Sequence, residues 1–106
     1  MKSALTAKTH ARLNRGFPTT ILALCDTELL GKVFTQGEAT LDLKTYRGFY
    51  EGSAVSEIQA IELLRSAENI NVVGEKSVEA ARKAFGAKKA KVKKIKGIPH
   101  LQVYKI

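Results

Sequence analysis

Short apolar runs and alternating positions indicate where the strands of this chain lie. Residues 19–25 are apolar and lean towards β-branched side chains, which is typical of a buried strand. Residues 39–44 alternate between polar and apolar side chains, so we expect a strand whose leucines face the core. A short apolar run at 70–73 and a final alternation at 101–106 predict two further strands.

Two other segments have the spacing of amphipathic helices. The first is predicted over residues 56–68, where Ser56 and Gln59 match a capping box. Its apolar stripe is expected to be buried and consists of Ile58, Ile61 and Leu64. The second helix is predicted over residues 75–85, and Gly86 stands where a glycine commonly follows a helix.

The remaining segments are expected to connect these elements. Residues 26–28 begin a helix or a tight turn, and the chain then continues as a short turn or enters another strand near Lys32. Residues 46–52 form an aromatic loop interrupted by glycine, and residues 97–100 form a turn.

Length and composition agree with one folded domain. The chain has 106 residues, of which 44% are hydrophobic, enough for a core. The order of elements predicts an α+β domain over residues 17–106, with two helices packed on a small mixed sheet and a mixed α/β arrangement as the alternative. No apolar run approaches the roughly 18–20 residues that cross a bilayer. The single Cys25 cannot form an internal disulfide, which fits a reducing compartment.

The ten acidic residues are confined to residues 26–79. That segment has a net charge of −5, whereas residues 1–25 carry +4 and residues 80–106 carry +9. Two acid-free basic segments on either side favour binding to a polyanion, and nucleic acid is the abundant one. Residues 1–16 are therefore interpreted as a basic N-terminal arm outside the domain. It is either disordered or ordered on RNA, and a transit peptide is a further alternative.

The expected RNA contacts are cations of this arm, of the lysine-rich segment 88–96 and of the turn after the first strand. A merely solvated surface would mix both signs of charge, and segment 88–96 does not. Gly31-Lys32 matches only two residues of a nucleotide-binding P-loop, so Lys32 is expected to be a surface phosphate contact. The expected RNA-binding residues are Lys8, Arg12, Arg15, Lys32, Lys88, Lys89, Lys91, Lys93, Lys94 and Lys96.

Cys25, Asp26 and His100 support an alternative, enzymatic hypothesis. Cys25 ends one predicted strand and His100 precedes another, so the two are candidates for a nucleophilic Cys–His pair. A lone cysteine that closes an apolar strand is more often a small buried hydrophobe, and we expect Cys25 to be buried and inert. No metal site is expected, because the chain lacks ligand pairs at a chelating spacing. No catalytic residue, cofactor or small-molecule substrate is expected either.

Four elements, in order along the chain, resemble those of one family. They are C-D-x-E-L-L-G-K at residues 25–32, F-Y-x-G at 49–52, V-G-E at 73–75 and G-I-P-H-L-Q at 97–102, where the family has G-V-P-H-A-Q. Over about residues 19–106 the chain resembles a small archaeal protein family of unknown function. The resemblance implies an archaeal, cytoplasmic protein and no established activity. The lysines of residues 87–91 depart from the family pattern.

The sequence therefore predicts a non-enzymatic RNA-binding protein. Most concretely, we expect a structural or accessory protein of the archaeal ribosome, whose partners are ribosomal RNA and neighbouring ribosomal proteins. Two alternatives stay open. One is a small enzyme or ligand-binding protein that uses Cys25, Asp26 and His100. The other is an interaction module for a translation factor that docks through the acidic middle of the chain.

Overall fold

A long hairpin opens the fold. The computed structural model describes residues 4–86 and 92–104, without the side chains of Arg12, Asn14 and Tyr104. Within it, β1 is Leu5–Asn14 and β2 is Phe17–Asp26, and the two strands pair antiparallel from end to end.

The hairpin belongs to a mixed sheet that has six strands in the described part of the chain. The other four strands are β5 (Ser53–Val55), β6 (Asn69–Val73), β7 (Lys93–Ile95) and β8 (Ile98–Tyr104). Their order across the sheet is β5-β1-β2-β6-β8-β7. Neighbouring strands are antiparallel except β2 and β6, which run parallel and are joined by a long crossover.

Two helices cover one side of this sheet, the helix face. They are α2 (Glu57–Ser66) and α3 (Glu75–Phe85). The predicted capping box is present, because Ser56 Oγ accepts from the Gln59 N–H at 3.1 Å and Gln59 Oε1 accepts from the Ser56 N–H at 2.9 Å. The core beneath the helices includes Leu22, Leu24, Leu64, Ile70, Val72, Val78 and Leu101.

A small hairpin and a short helix cover part of the opposite side, the hairpin face. The hairpin consists of β3 (Val33–Gln36) and β4 (Ala39–Asp42), and the helix is α1 (Arg47–Tyr50). A 3-10 turn at Thr27–Leu29 leads into them. The second core between this cover and the sheet includes Ala23, Cys25, Leu41, Leu43, Tyr50 and Val73.

The α+β prediction is confirmed, and several local predictions need correction. Ile58, expected in the buried stripe of α2, is 71% exposed, whereas Ala60 and Leu64 are buried. At 100° per residue Ile58 lies about 200° around the helix from Ala60, so both cannot face the sheet. The loop predicted at 46–52 contains α1, and the turn predicted at 97–100 is already strand β8 from Ile98 onward.

The largest correction concerns the predicted N-terminal arm. Residues 5–14 of that arm form β1, which lies between β5 and β2 inside the sheet. Leu5 and Ala7 are buried in the core under the helices. The physical reason is the alternation of apolar with polar positions from Leu5 to Asn14, a strand pattern that the basic composition concealed. None of the described helices has the length and apolar character needed to cross a membrane.

Candidate nucleic-acid interface

In each of two hairpin turns, a lysine or arginine residue has a positive φ, a backbone conformation more common for Gly, Asn and Asp. Arg15–Gly16 joins β1 to β2 with φ of 53° and 82°, and Lys96–Gly97 joins β7 to β8 with φ of 53° and 79°. Positive φ at both central positions is the signature of a type I′ turn, whose first central residue is usually Asn, Asp or Gly. Among the described residues, Arg15 and Lys96 alone combine a side chain with positive φ. We call Arg15–Gly16 and Lys96–Gly97 the cationic turns.

The first cationic turn lies at the end of a projecting β-ribbon. β6 pairs with β2 only from Ile21 to Cys25, and β5 pairs with β1 only at residues 5–7. Residues 11–20, which we call the β-ribbon, therefore extend past the neighbouring strands and pair with each other. Near the turn, Leu13 and Phe17 are 75% and 73% exposed. The end of the ribbon thus presents Arg15 beside two large apolar side chains.

The second cationic turn is attached to the β3–β4 hairpin. The backbone N–H of Lys96 donates to Gln36 Oε1 at 2.7 Å. Lys93 and Lys94 are exposed on β7, which is the edge strand of the sheet. Because successive strand residues point to opposite faces, these two lysines place positive charge on both sides of that edge.

Three other cations of the described residues, one on α1 and two on α3, differ from these because they are paired with acids. The ion pairs within the described residues are Arg47–Glu51, Arg82–Glu79 and Lys83–Glu57. None of them includes an expected RNA-binding residue. The cations at the turns and on β7 are therefore available to an external anion.

The expected RNA-binding residues do not form one patch. Lys8 is exposed on β1 and its Nζ donates to the carbonyl oxygen of Gly48 at 2.7 Å, and Lys32 is exposed before β3. The first cationic turn precedes β2 and the second precedes β8. Because β8 runs antiparallel to β2, the two turns lie at opposite ends of the sheet. Four expected contacts lie outside the described residues, namely Lys88, Lys89, Lys91 and the side chain of Arg12.

Cys25 is buried, as predicted, and its chemistry is unfavourable for a nucleophile. It is 0% exposed, and its Sγ donates to the carbonyl oxygen of Asp26 at 3.3 Å. Burial, and secondly the negative charge of Asp26, raises the pKa of the Cys25 thiol to about 12. His100 forms its hydrogen bond elsewhere, to Asn71. The geometry therefore gives no support to a Cys–His nucleophile pair.

Asp26 caps a helix that is distant in sequence. Its Oδ1 accepts from the backbone N–H and the hydroxyl of Ser77, at 2.8 Å and 2.7 Å, and its Oδ2 accepts from the backbone N–H of Lys76 at 3.1 Å. This carboxylate therefore satisfies N–H groups in the first turn of α3. Gly74 has φ of 108°, and a Cβ atom there would overlap the Asp26 side chain. The Cys-Asp and Val-Gly-Glu elements of the sequence meet at this point.

His100 joins a polar cluster on the hairpin face. Asn71 Oδ1 lies 3.0 Å from the hydroxyl of Tyr50 and 3.0 Å from Nε2 of His100. Because an amide oxygen only accepts, both partners donate to it, and Nδ1 of the neutral His100 ring is left as an acceptor. Burial, and secondly the positive charge of Lys93, lowers the pKa of His100.

Sequence reasoning missed two members of this cluster. The apolar run at 70–73 concealed Asn71, and the loop expected at 46–52 concealed Tyr50. The polar residue within an otherwise apolar run was the available signal, because a buried amide needs hydrogen-bond partners. No group of three His, Cys, Asp or Glu side chains is placed to hold a metal ion in the described part of the chain.

One protein family matches most of this chain. The model of the family described as "Protein of unknown function (DUF424)" matches residues 18–106. The chain belongs to this family. A crystal structure of an uncharacterised conserved protein from Methanopyrus kandleri has the same fold, with 28% identity and a TM-score of 0.77. The search of curated proteins gave no match.

The structural match extends beyond the region that defines the DUF424 family. It covers 94% of this chain and 90% of the M. kandleri chain. Residues 17–106 alone are too few to supply that coverage, so part of the segment before Phe17 is matched as well. The match therefore includes part of β1.

Proposed function

We propose that this protein is a non-enzymatic RNA-binding protein that acts as a structural or accessory component of the archaeal ribosome, in the cytoplasm. The observation that carries the proposal is the pair of cationic turns. Each type I′ turn has a cation at a position where Asn or Gly would be more stable. A residue held in a strained conformation is a reason to look for a function of its side chain.

The charge of these turns fits a phosphate backbone. Arg15 and Lys96 are exposed, and no described ion pair includes them. Cations that replace condensed counterions on RNA contribute affinity without sequence preference. At the end of the β-ribbon, the exposed ring of Phe17 is next to Arg15 and offers a face on which an unpaired base can stack.

The ribosomal part of the proposal rests on shape. The β-ribbon projects past the sheet with Arg12 and Arg15 and without any acidic residue. Such an extension fits between RNA helices, where it neutralises phosphates that a compact surface cannot reach.

The test uses a double variant that should change RNA affinity and stability in opposite directions. Arg15→Asn with Lys96→Asn removes two cations and places at each turn the residue that a type I′ turn prefers. We expect the slope of log affinity against log salt to become shallower by about 0.7–0.9 for each phosphate that is no longer neutralised. Thermal stability should rise, since a left-handed conformation costs an ordinary residue about 1–2 kcal/mol. Weaker binding by a more stable protein excludes unfolding as the cause.

A control variant and two possible results decide between the proposal and its alternatives. Arg65→Gln removes one exposed cation from α2 on the helix face and should leave both affinity and salt slope unchanged. An unchanged salt slope in the double variant would overturn the RNA proposal. For the ribosomal part, the native protein should sediment with ribosomes at low salt and leave them at moderate salt. Recovery only in the free fraction, beside intact ribosomes, would overturn that part.

A further inference from the structure

A pocket opens on the hairpin face, separate from the cationic turns. Its volume is about 640 Å³, and β4, the segment after it, α1, β6 and β8 line it. Leu41, Leu43 and Phe49 form apolar walls, and Tyr46, which is 62% exposed, lines the pocket from the solvent side. A concave site with mostly apolar walls and a few polar groups is typical of binding sites for small organic groups.

The polar groups of the pocket are arranged for a ligand with both donors and acceptors. Asn71 uses its amide oxygen for Tyr50 and His100, and its two N–H donors have no partner among the described residues. His100 contributes Nδ1 as an acceptor, because its Nε2 donates to Asn71. An uncharged ligand with a polar edge would satisfy these groups.

The charges of the pocket determine which part of a ligand can enter. Within the described chain no lysine or arginine lines it, whereas Asp42 does. The backbone N–H of Thr45 donates to Asp42 at 2.8 Å and keeps the pKa of Asp42 below its ordinary value, so the negative charge is present at neutral pH. An anionic group is therefore disfavoured inside. Just outside, Lys93 lies opposite His100 in the register of β7 and β8 and is exposed.

We propose that this pocket binds a nucleobase, with the phosphate attached to that nucleotide lying outside at Lys93. A base is planar, apolar on its faces and polar on its edge, so it can contact Tyr46 and Phe49 while its edge meets Asn71, His100 and Asp42. Two sources share this chemistry, a free mononucleotide and an unpaired residue of an RNA strand. The RNA source deepens the proposed function and rests on it, whereas the mononucleotide source does not.

The first experiment follows the imidazole resonances of His100 by NMR while each of the four ribonucleoside monophosphates is added, up to concentrations on the order of 1 mM or above. We expect at least one to shift His100, and to bind more tightly than its nucleoside because of Lys93. Tyr46→Ala should weaken this binding on the order of tenfold, the usual effect of losing a stacking ring. Ile58→Ala, which removes a large exposed apolar side chain of α2 on the helix face and outside the pocket, should not.

The second experiment separates the two sources and separates this inference from the proposed function. If the source is RNA, Tyr46→Ala should weaken binding of single-stranded RNA and leave binding of a fully paired duplex unchanged. If the source is a free nucleotide, the variant affects the mononucleotide alone. The Arg15→Asn, Lys96→Asn double variant should retain the His100 shifts even where RNA binding fails. The inference would be overturned if none of the four nucleotides shifted the His100 resonances. It would also be overturned if the Tyr46→Ala variant bound every probe as tightly as the native protein does.

Discussion

The side chain of Asp26 packs directly against Gly74. The carboxylate occupies the space in which a side chain at residue 74 would lie, and it reaches the N–H groups of α3 through that space. The Cys-Asp and Val-Gly-Glu segments, which are separate motifs in the sequence, therefore form one contact that joins β2 to α3.

Gly74→Ala is expected to destabilise the protein by more than about 2 kcal/mol, because positive φ and steric overlap both oppose the new methyl group. Asp26→Ala should cost about 1–2 kcal/mol through loss of the helix cap. In the Asp26→Ala background the overlap is gone, so Gly74→Ala should cost less than in the native protein. A double-mutant cycle by urea denaturation measures this coupling, and additive costs would contradict it.

Cys25 is predicted to resist thiol reagents in the native protein. The pKa of about 12 leaves almost no thiolate at pH 8, and the side chain is fully buried. Because this folded pKa lies above the ordinary thiol value of 9.0, its stabilising contribution is present below pH 9 and is lost as the pH rises towards 12. Labelling before and after denaturation measures the first effect, and urea denaturation at a series of pH values measures the second. Rapid labelling of the native protein would revive the enzymatic hypothesis, and Cys25→Ala provides the blank.

At the scale of elements, β1 supports the sheet and cannot be separated from it. It lies between β5 and β2, and its removal would expose Leu22, Leu24 and Val55 and leave one edge of β2 without partners. Deleting residues 1–16 is therefore predicted to abolish cooperative unfolding, measured by circular dichroism. A truncated protein with native stability would restore the interpretation of these residues as an arm. Deletion of residues 1–3 alone, which precede β1, is the matched control.

The sequence correctly predicted the elements whose residue patterns span only a few neighbouring positions. The capping box of α2, the apolar run of β6 and the glycine after α3 each depend on neighbours within a few residues. β1 was missed because Lys8 and Arg12 suggested solvent, although residues four positions apart in a strand belong to the same face. The polar cluster could not be predicted for a different reason. Its members Tyr50, Asn71 and His100 are distant in sequence, and the pairing of β6 with β8 and the position of α1 bring them together.

At the scale of the whole molecule, the separation of the cationic turns sets the length of RNA that the proposed binding would need in order to engage both turns. They lie at opposite ends of a sheet in a molecule about 34 Å long. On RNA stems longer than this distance, about five engaged cations would give a salt slope on the order of −4. On shorter stems only one turn can bind, so the slope should be clearly shallower. Equal slopes on both lengths, measured by fluorescence anisotropy, would show that the two turns do not act together.

The position of β2 in the sheet has a consequence for the newly made chain. Its antiparallel partner β1 immediately precedes it, whereas its parallel partner β6 begins only at Asn69, after the whole crossover. At roughly 5–20 residues per second, translation leaves the far edge of β2 without a partner for on the order of several seconds. During that interval the first hairpin, which forms within microseconds, exposes Leu22 and Leu24 together with the Arg15 turn. The nascent protein therefore presents the β-ribbon and its cationic turn before its aggregation-prone edge is protected.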